Sequence, residues 1–254
     1  DKYGKRLSNC MLVFPNRRAG LFFAKYLNEM IDQPLWSPKI LTINDFFKTL
    51  SGLQTEDSLG LLFRLYKIYV RKMNVKESFD EFYHWGEMLL GDFDDLDKYR
   101  VNAKHLFQNL AEEKEIDNLF DYLTSEQIEA IQSFWSSFRP ERYSQHQKEF
   151  VNLWENLFAI YSDFRKELEN EGLAYEGMLS RALVDSLESG KISIEEERVI
   201  FIGFNALNRC EQDLLEVLKK KDKADFYWDY DESYLKNPYH EAGFFMRENL
   251  KRFP

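Results

Sequence analysis

Four short apolar runs, two near the start of the chain and two near its end, limit the possible folds more than any other feature. Met11-Leu12-Val13-Phe14 closes on Pro15-Asn16, the pattern of a buried strand and its exit turn. Arg18 to Met30 then shows helical spacing, with Leu21, Phe22, Tyr26 and Leu27 on one side. Pro34 and Pro38 interrupt the chain, Lys39-Ile40-Leu41-Thr42 reads as a second strand, and Asn44 is the expected N-cap of a helix through Leu50. Val199-Ile200-Phe201-Ile202 and Ala224-Asp225-Phe226-Tyr227-Trp228 supply two more strands, with helical stretches at Cys210–Lys219 and from His240 to Leu250. Strands alternating with helices predict an α/β fold, the four runs forming one parallel sheet.

The region between the two pairs of runs has a different character. Leu59, Leu62, Phe63, Tyr66 and Tyr69 recur at three-to-four spacing, as do Phe79, Phe82, Trp85, Leu89 and Leu90. Thr124-Ser125-Glu126-Gln127 reads as a capping box opening a helix through Phe138. Gln147 to Asn170 is a long amphipathic stretch that Gly172 should stop. No convincing strand falls between Asp57 and Ser189. Distant strands can still pair around such an insertion, because the entropy of loop closure grows slowly with length. Ligands on open parallel sheets sit beyond the carboxyl ends of the strands, so the segments leaving the strands are where function is expected.

Composition narrows the choice of function. With 31% charged and 44% hydrophobic residues the chain suits a globular protein, and no apolar run approaches the roughly 20 residues that span a bilayer. The chain opens without Met or a signal peptide and closes on Lys251-Arg252-Phe253-Pro254, so both ends read as cuts in a longer protein. Two cysteines, Cys10 and Cys210, make neither a disulfide framework nor a zinc pair, and a reducing cytoplasm is expected. His84, His105, His146 and His240 are scattered. The net charge of −10 argues against a surface wholly built for nucleic acid. Residues 1–50, however, hold eight Lys or Arg against four acids, which leaves −14 for the rest, so any DNA contact is expected near the N-terminal segment.

The strand exits carry recognisable segments. Leu12-Val13-Phe14-Pro15-Asn16-Arg17-Arg18-Ala19-Gly20, followed by an apolar helix, resembles the segment of superfamily-one DNA helicases in which a strand ends in a Thr-Asn-Lys/Arg-Ala turn on the DNA backbone; Pro15 replaces the Thr. Leu41-Thr42-Ile43-Asn44-Asp45-Phe46-Phe47 resembles the next helicase segment, Thr-Phe-His-Ser-Phe, which also lines the DNA. Val199 to Asn208 resembles a Walker B strand ending in a Gly-Phe turn. The order and spacing of the three segments, with a helical insertion between the second and third, resemble AddB-type subunits of bacterial helicase–nucleases. These process broken DNA ends in double-strand break repair.

That resemblance implies a RecA-like (P-loop NTPase-type) parallel sheet at 1–55 and 191–254, degenerate as a helicase, and an all-helical insertion at 56–190. It implies DNA contacts at Asn16, Arg17, Arg18, Thr42 and Asn44. Short polar side chains and exposed amides at helix starts suit phosphate, and arginine adds charge. It further implies a partner helicase subunit of AddA type and a PD-(D/E)XK exonuclease domain beyond residue 254. At the degenerate Walker B, Ile202 stands where the Mg²⁺-binding Asp belongs and Gly203 where the water-activating Glu belongs, followed by Phe204. Isoleucine offers no hard oxygen ligand. No G-x-x-x-x-G-K-[ST] loop is present, since Gly4-Lys5 and Gly190-Lys191 lack its other residues, and Asp229-Tyr230-Asp231-Glu232 echoes the next helicase segment too faintly to count. ATP and Mg²⁺ are expected only if a phosphate loop lies upstream.

Other candidates point back to structure. Gly91-Asp92-Phe93-Asp94-Asp95-Leu96-Asp97-Lys98 lacks the spacing of a Ca²⁺ loop and reads as a solvated helix end. Trp36, Trp85, Trp135, Trp154 and Trp228 could stack on bases, though three fall on apolar helix faces. The sequence therefore favours a non-catalytic DNA-binding scaffold. An ATP-dependent helicase with its phosphate loop upstream, or a protein-docking α/β domain, are the alternatives.

Overall fold

A computed structural model describes residues 2–109, 145–237 and 239–254. The capping box expected at 124–127 and Trp135 lie outside them. The chain is mixed α/β and divides into two compact units, one comprising Asp1–Thr55, Asp97–Tyr99 and Glu176–Pro254, the other Glu56–Leu96 and Arg100–Tyr175.

The first unit is built on a four-stranded sheet of β1 (Cys10–Phe14), β2 (Lys39–Thr42), β5 (Arg198–Ile202) and β6 (Ala224–Tyr227), in the order β2-β1-β5-β6. Every pair is parallel, so the four apolar runs do join in one sheet. β1 is buried along its whole length, as expected of a central parallel strand covered on both faces. One face carries Cys10, Leu12, Phe14 and Ile200, packed against Leu7, Phe23 and Ile40. On the other, Phe201 meets Phe46, Phe204 and Phe226, with ring centroids 6.1, 6.0 and 6.0 Å apart, and Phe226 meets Phe253 at 5.2 Å. Aromatic pairs at these separations add to the stabilisation that their buried area provides.

Helices α1 (Arg17–Met30) and α2 (Ile43–Ser51) follow β1 and β2. α1 departs from expectation, because Leu21, Phe22 and Tyr26 are exposed. The helix instead turns Gly20 and the half-buried Phe23 and Leu27 inward. Gly20 explains the close approach, since a Cβ there would stand 2.9 Å from Ile40 Cγ2. α2 starts earlier than Asn44 implied, with Thr42 as its N-cap. Two-residue strands β3 (Gln54–Thr55) and β4 (Leu173–Ala174) are too short to show alternation, and the sequence does not predict them.

The second unit contains α3 (Ser58–Met73), most of α4 (Phe79–Lys98), α5 (Ala103–Asn109) and α6 (Gln145–Asn170). Phe82, Phe93, Phe164, Leu65, Ile68 and Ile160 are fully buried within it. On α3, Leu59 and Phe63 are exposed, and Leu61, Leu65 and Ile68 take the core positions. Arg64 joins Glu56 at 3.1 Å and Glu171 at 2.8 Å. Gly172, at φ +68, follows the end of α6.

Helix α7 (Glu176–Glu188) belongs to the first unit and packs on α2 and on α8 (Arg209–Lys220). Two short helices complete that unit, α9 (Glu232–Lys236) and α10 (Phe244–Arg252). The acidic stretch at 91–98 is not simply a solvated helix end, for Asp97 is fully buried and its Oδ1 accepts a bond of 3.2 Å from Arg181. Cys10 and Cys210 are buried, and the Cys210 thiol donates to the Asp97 carbonyl at 3.3 Å. Trp36 is exposed, while Trp228 is half-buried and donates from Nε1 to the Phe253 carbonyl at 2.8 Å. No helix among the described residues is long and apolar enough to cross a membrane.

Candidate nucleic-acid interface

Parallel pairing brings the strand exits to one edge. Phe14 is in register with Thr42, Val13 with Phe201, and Ile202 with Tyr227. The turn at 15–16 with the start of α1, the start of α2 and the turn at 203–208 therefore all leave the same side of the sheet. Asn16, Arg17, Arg18, Thr42, Asn44, Ile202, Gly203 and Phe204 all lie on or beside that edge, although more than 150 residues separate the second segment from the third.

These residues do different work there. Asn16 Oδ1 accepts from the Ala19 backbone N–H at 3.0 Å and caps α1. Thr42 Oγ1 accepts from the Asp45 N–H at 3.1 Å and caps α2. Both side chains are thereby engaged in starting helices, which is what Asn and Thr do best at these positions. Asn44 is exposed, and its Nδ2 lies 3.5 Å from Glu176 Oε1. Arg17 and Arg18 are exposed, and Arg18 has no side-chain partner among the described residues.

Asp45 is a member of the site that the sequence motifs do not single out. Its Oδ2 accepts from the Thr42 hydroxyl at 2.8 Å, and its Oδ1 lies 3.8 Å from Arg17 Nη2. One carboxylate thus ties the cap of α2 to the first residue of α1. The Thr42-x-x-Asp45 spacing, a capping-box pattern, is the signal in the sequence that points to it.

Charge is distributed more selectively than the count over residues 1–50 implied. Lys2, Arg6 and Lys39 pair with Asp225, Glu197 and Glu196 at 2.9, 3.1 and 3.2 Å. Glu196, Glu197 and Lys39 stand at the amino ends of the strands, so much of the excess is neutralised at the far edge. At the carboxyl edge Arg17 and Arg18 remain presented to solvent, with Asp45 nearby.

The exit of β5 is built for packing. Gly203 adopts φ +74 and donates its N–H to the Tyr227 carbonyl at 2.9 Å. Phe204 then turns into the core, and the Asn205 carbonyl accepts from Asn249 Nδ2 at 2.5 Å. Asn208 and Glu211 form a reciprocal capping box at the start of α8. Burial raises the Glu211 carboxyl above its ordinary range, against the opposing effects of the Asn208 N–H and the Lys98 charge. Residues 202–208 contain no carboxylate, so the exit of β5 offers Mg²⁺ no carboxylate ligand. Replacing Gly203 by Ala meets no neighbour within 4 Å. The left-handed backbone alone should then lower stability by about 1–2 kcal/mol, measured as a shift in the urea midpoint.

No protein-family model matches the chain, and a search of curated proteins finds no match.

Proposed function

We propose that this chain is a non-catalytic DNA-binding scaffold, the RecA-like front region of an AddB-type helicase–nuclease subunit that processes broken DNA ends. The observation that carries the reading is the shared carboxyl edge. Segments that resemble two DNA-contacting helicase motifs and a Walker B strand are far apart in sequence and emerge side by side from one parallel sheet. On this reading Arg17 and Arg18 hold DNA phosphates, Asp45 orients Arg17, and Asn16 and Thr42 shape the helix starts that present them. On this reading the helical second unit, Glu56–Leu96 and Arg100–Tyr175, is an insertion that holds duplex or docks an AddA-type partner. That partner supplies strand separation, and a PD-(D/E)XK domain elsewhere in the longer protein cuts.

On this reading the chain binds DNA without driving strand separation, and Ile202 and Gly203, which offer no carboxylate, support that. The test pairs two assays on the 254-residue chain. Fluorescence anisotropy should show binding to a duplex with a single-stranded tail that weakens steeply with salt, and added DNA should stimulate no ATP hydrolysis. DNA-stimulated ATP turnover would instead mark an active helicase. Absence of binding at low salt would favour a protein-docking domain.

A further inference from the structure

The outer face of α1 lies open to solvent among the described residues. Leu21, Phe22, Tyr26 and Met30 are 72, 51, 55 and 80% exposed, while the helix packs through its opposite side. Arg18, Phe22, Lys25 and Tyr26 fall at i, i+4, i+7 and i+8, which places them along one side of the helix. The Phe22 and Tyr26 rings are near-parallel, with centroids 6.4 Å apart and an interplanar angle of 24°. Lys25 Nζ lies 5.9 Å from the Tyr26 ring centroid and 3.9 Å from Glu29. The helix begins at the carboxyl edge and returns alongside the sheet toward the start of β2, so the ridge runs back from Arg17 and Arg18.

A second exposed aromatic group provides a contrast. Tyr230, Tyr234, Tyr239, Phe244 and Phe245 are also open to solvent. Their segment carries Asp229, Asp231, Glu232 and Glu241, which repel phosphate. On α1 the aromatics are interleaved with three cations against one acid, in a chain of net charge −10. That local reversal of sign complements a polyanion.

We infer that the outer face of α1 is a stacking platform for unpaired bases of a single-stranded nucleic acid, with Phe22 and Tyr26 as the rings and Arg18 and Lys25 beside the backbone. Exposed rings interleaved with cations bind single strands with little sequence preference, because every base has a π-face. Bases in a duplex are already stacked on one another, so the platform discriminates single strand from duplex. The inference rests on the proposed DNA-binding edge and extends it from phosphate contact to strand-type selection.

The test is anisotropy of the 254-residue chain with a labelled oligothymidylate and with a blunt duplex. Both side chains are half exposed or more, so the Phe22→Ala/Tyr26→Ala variant should keep its far-UV circular dichroism. It is expected to lose about tenfold or more in single-strand affinity and to leave duplex affinity unchanged. Tyr26→Phe, which keeps the ring, should bind as wild type, and so should Phe244→Ala/Phe245→Ala. Unchanged single-strand affinity in Phe22→Ala/Tyr26→Ala, alongside weaker binding by Arg17→Ala/Arg18→Ala, overturns the platform and leaves the edge standing. No binding to either DNA by the wild-type chain overturns both. Loss of self-association in sedimentation velocity, with DNA binding unchanged, would make α1 a protein face and also overturns the platform.

Discussion

Replacing Phe201 with Ala should cost the first unit about 3–5 kcal/mol, a large share of the roughly 5–15 kcal/mol that holds a typical domain folded. Phe201 is 1% exposed and sits on the central strand β5. Its ring meets those of Phe46 from α2, Phe204 from the following turn and Phe226 from β6. Truncation would strip packing from three elements at once, and a cavity bounded by a parallel sheet collapses poorly. Urea unfolding followed by circular dichroism should show a clearly lower midpoint, with Phe201→Leu falling between. An unchanged midpoint for Phe201→Ala would mean that the cluster does not hold the sheet.

Asp97→Ala is expected to destabilise by about 3 kcal/mol, through charge and not cavity volume. The Asp97 side chain is fully buried and that of Arg181 is 22% accessible. Without the carboxylate, the Arg181 guanidinium would stand largely desolvated beside the space Asp97 occupied. The partial access of Arg181 keeps the expected cost at the low end for a broken buried pair. The Asp97→Ala/Arg181→Met double variant removes both charges and should recover most of the stability, because paired deletions at one interaction are not additive. The same urea assay decides: equal midpoints for the single and double variants would show that Asp97 acts without Arg181.

The sheet was legible in the sequence because its strands are short, wholly apolar and closed by turn residues. Met11–Phe14 and Val199–Ile202 each lie within one residue of the observed strands. The facing of α1 was not legible. Leu21, Phe22 and Tyr26 form a helical stripe that reads as a core face, yet the helix meets the sheet through Gly20, whose missing side chain lets it approach Ile40. A glycine contributes nothing to an apolar pattern, so periodicity assigned the wrong side. Asp97 was hidden for a related reason, since four acids in eight residues read as solvated and only the fold supplies Arg181. At the candidate site, Asn16 and Thr42 were visible as polar residues after strands. Their capping bonds are local, three residues apart, whereas the approach of Asp45 to Arg17 depends on β1 and β2 being neighbours.

The most direct test of the DNA-binding edge is the salt dependence of affinity for a single-strand-tailed duplex, compared between the wild-type chain and Arg17→Ala/Arg18→Ala. Both arginines are exposed at the N-terminus of α1, so the substitutions should not disturb the fold. For each phosphate-binding arginine removed, the slope of log affinity against log salt should flatten by about one unit, with affinity falling for every DNA sequence alike. A double variant that binds with wild-type affinity and an unaltered slope would contradict the assignment of the carboxyl edge as the DNA interface.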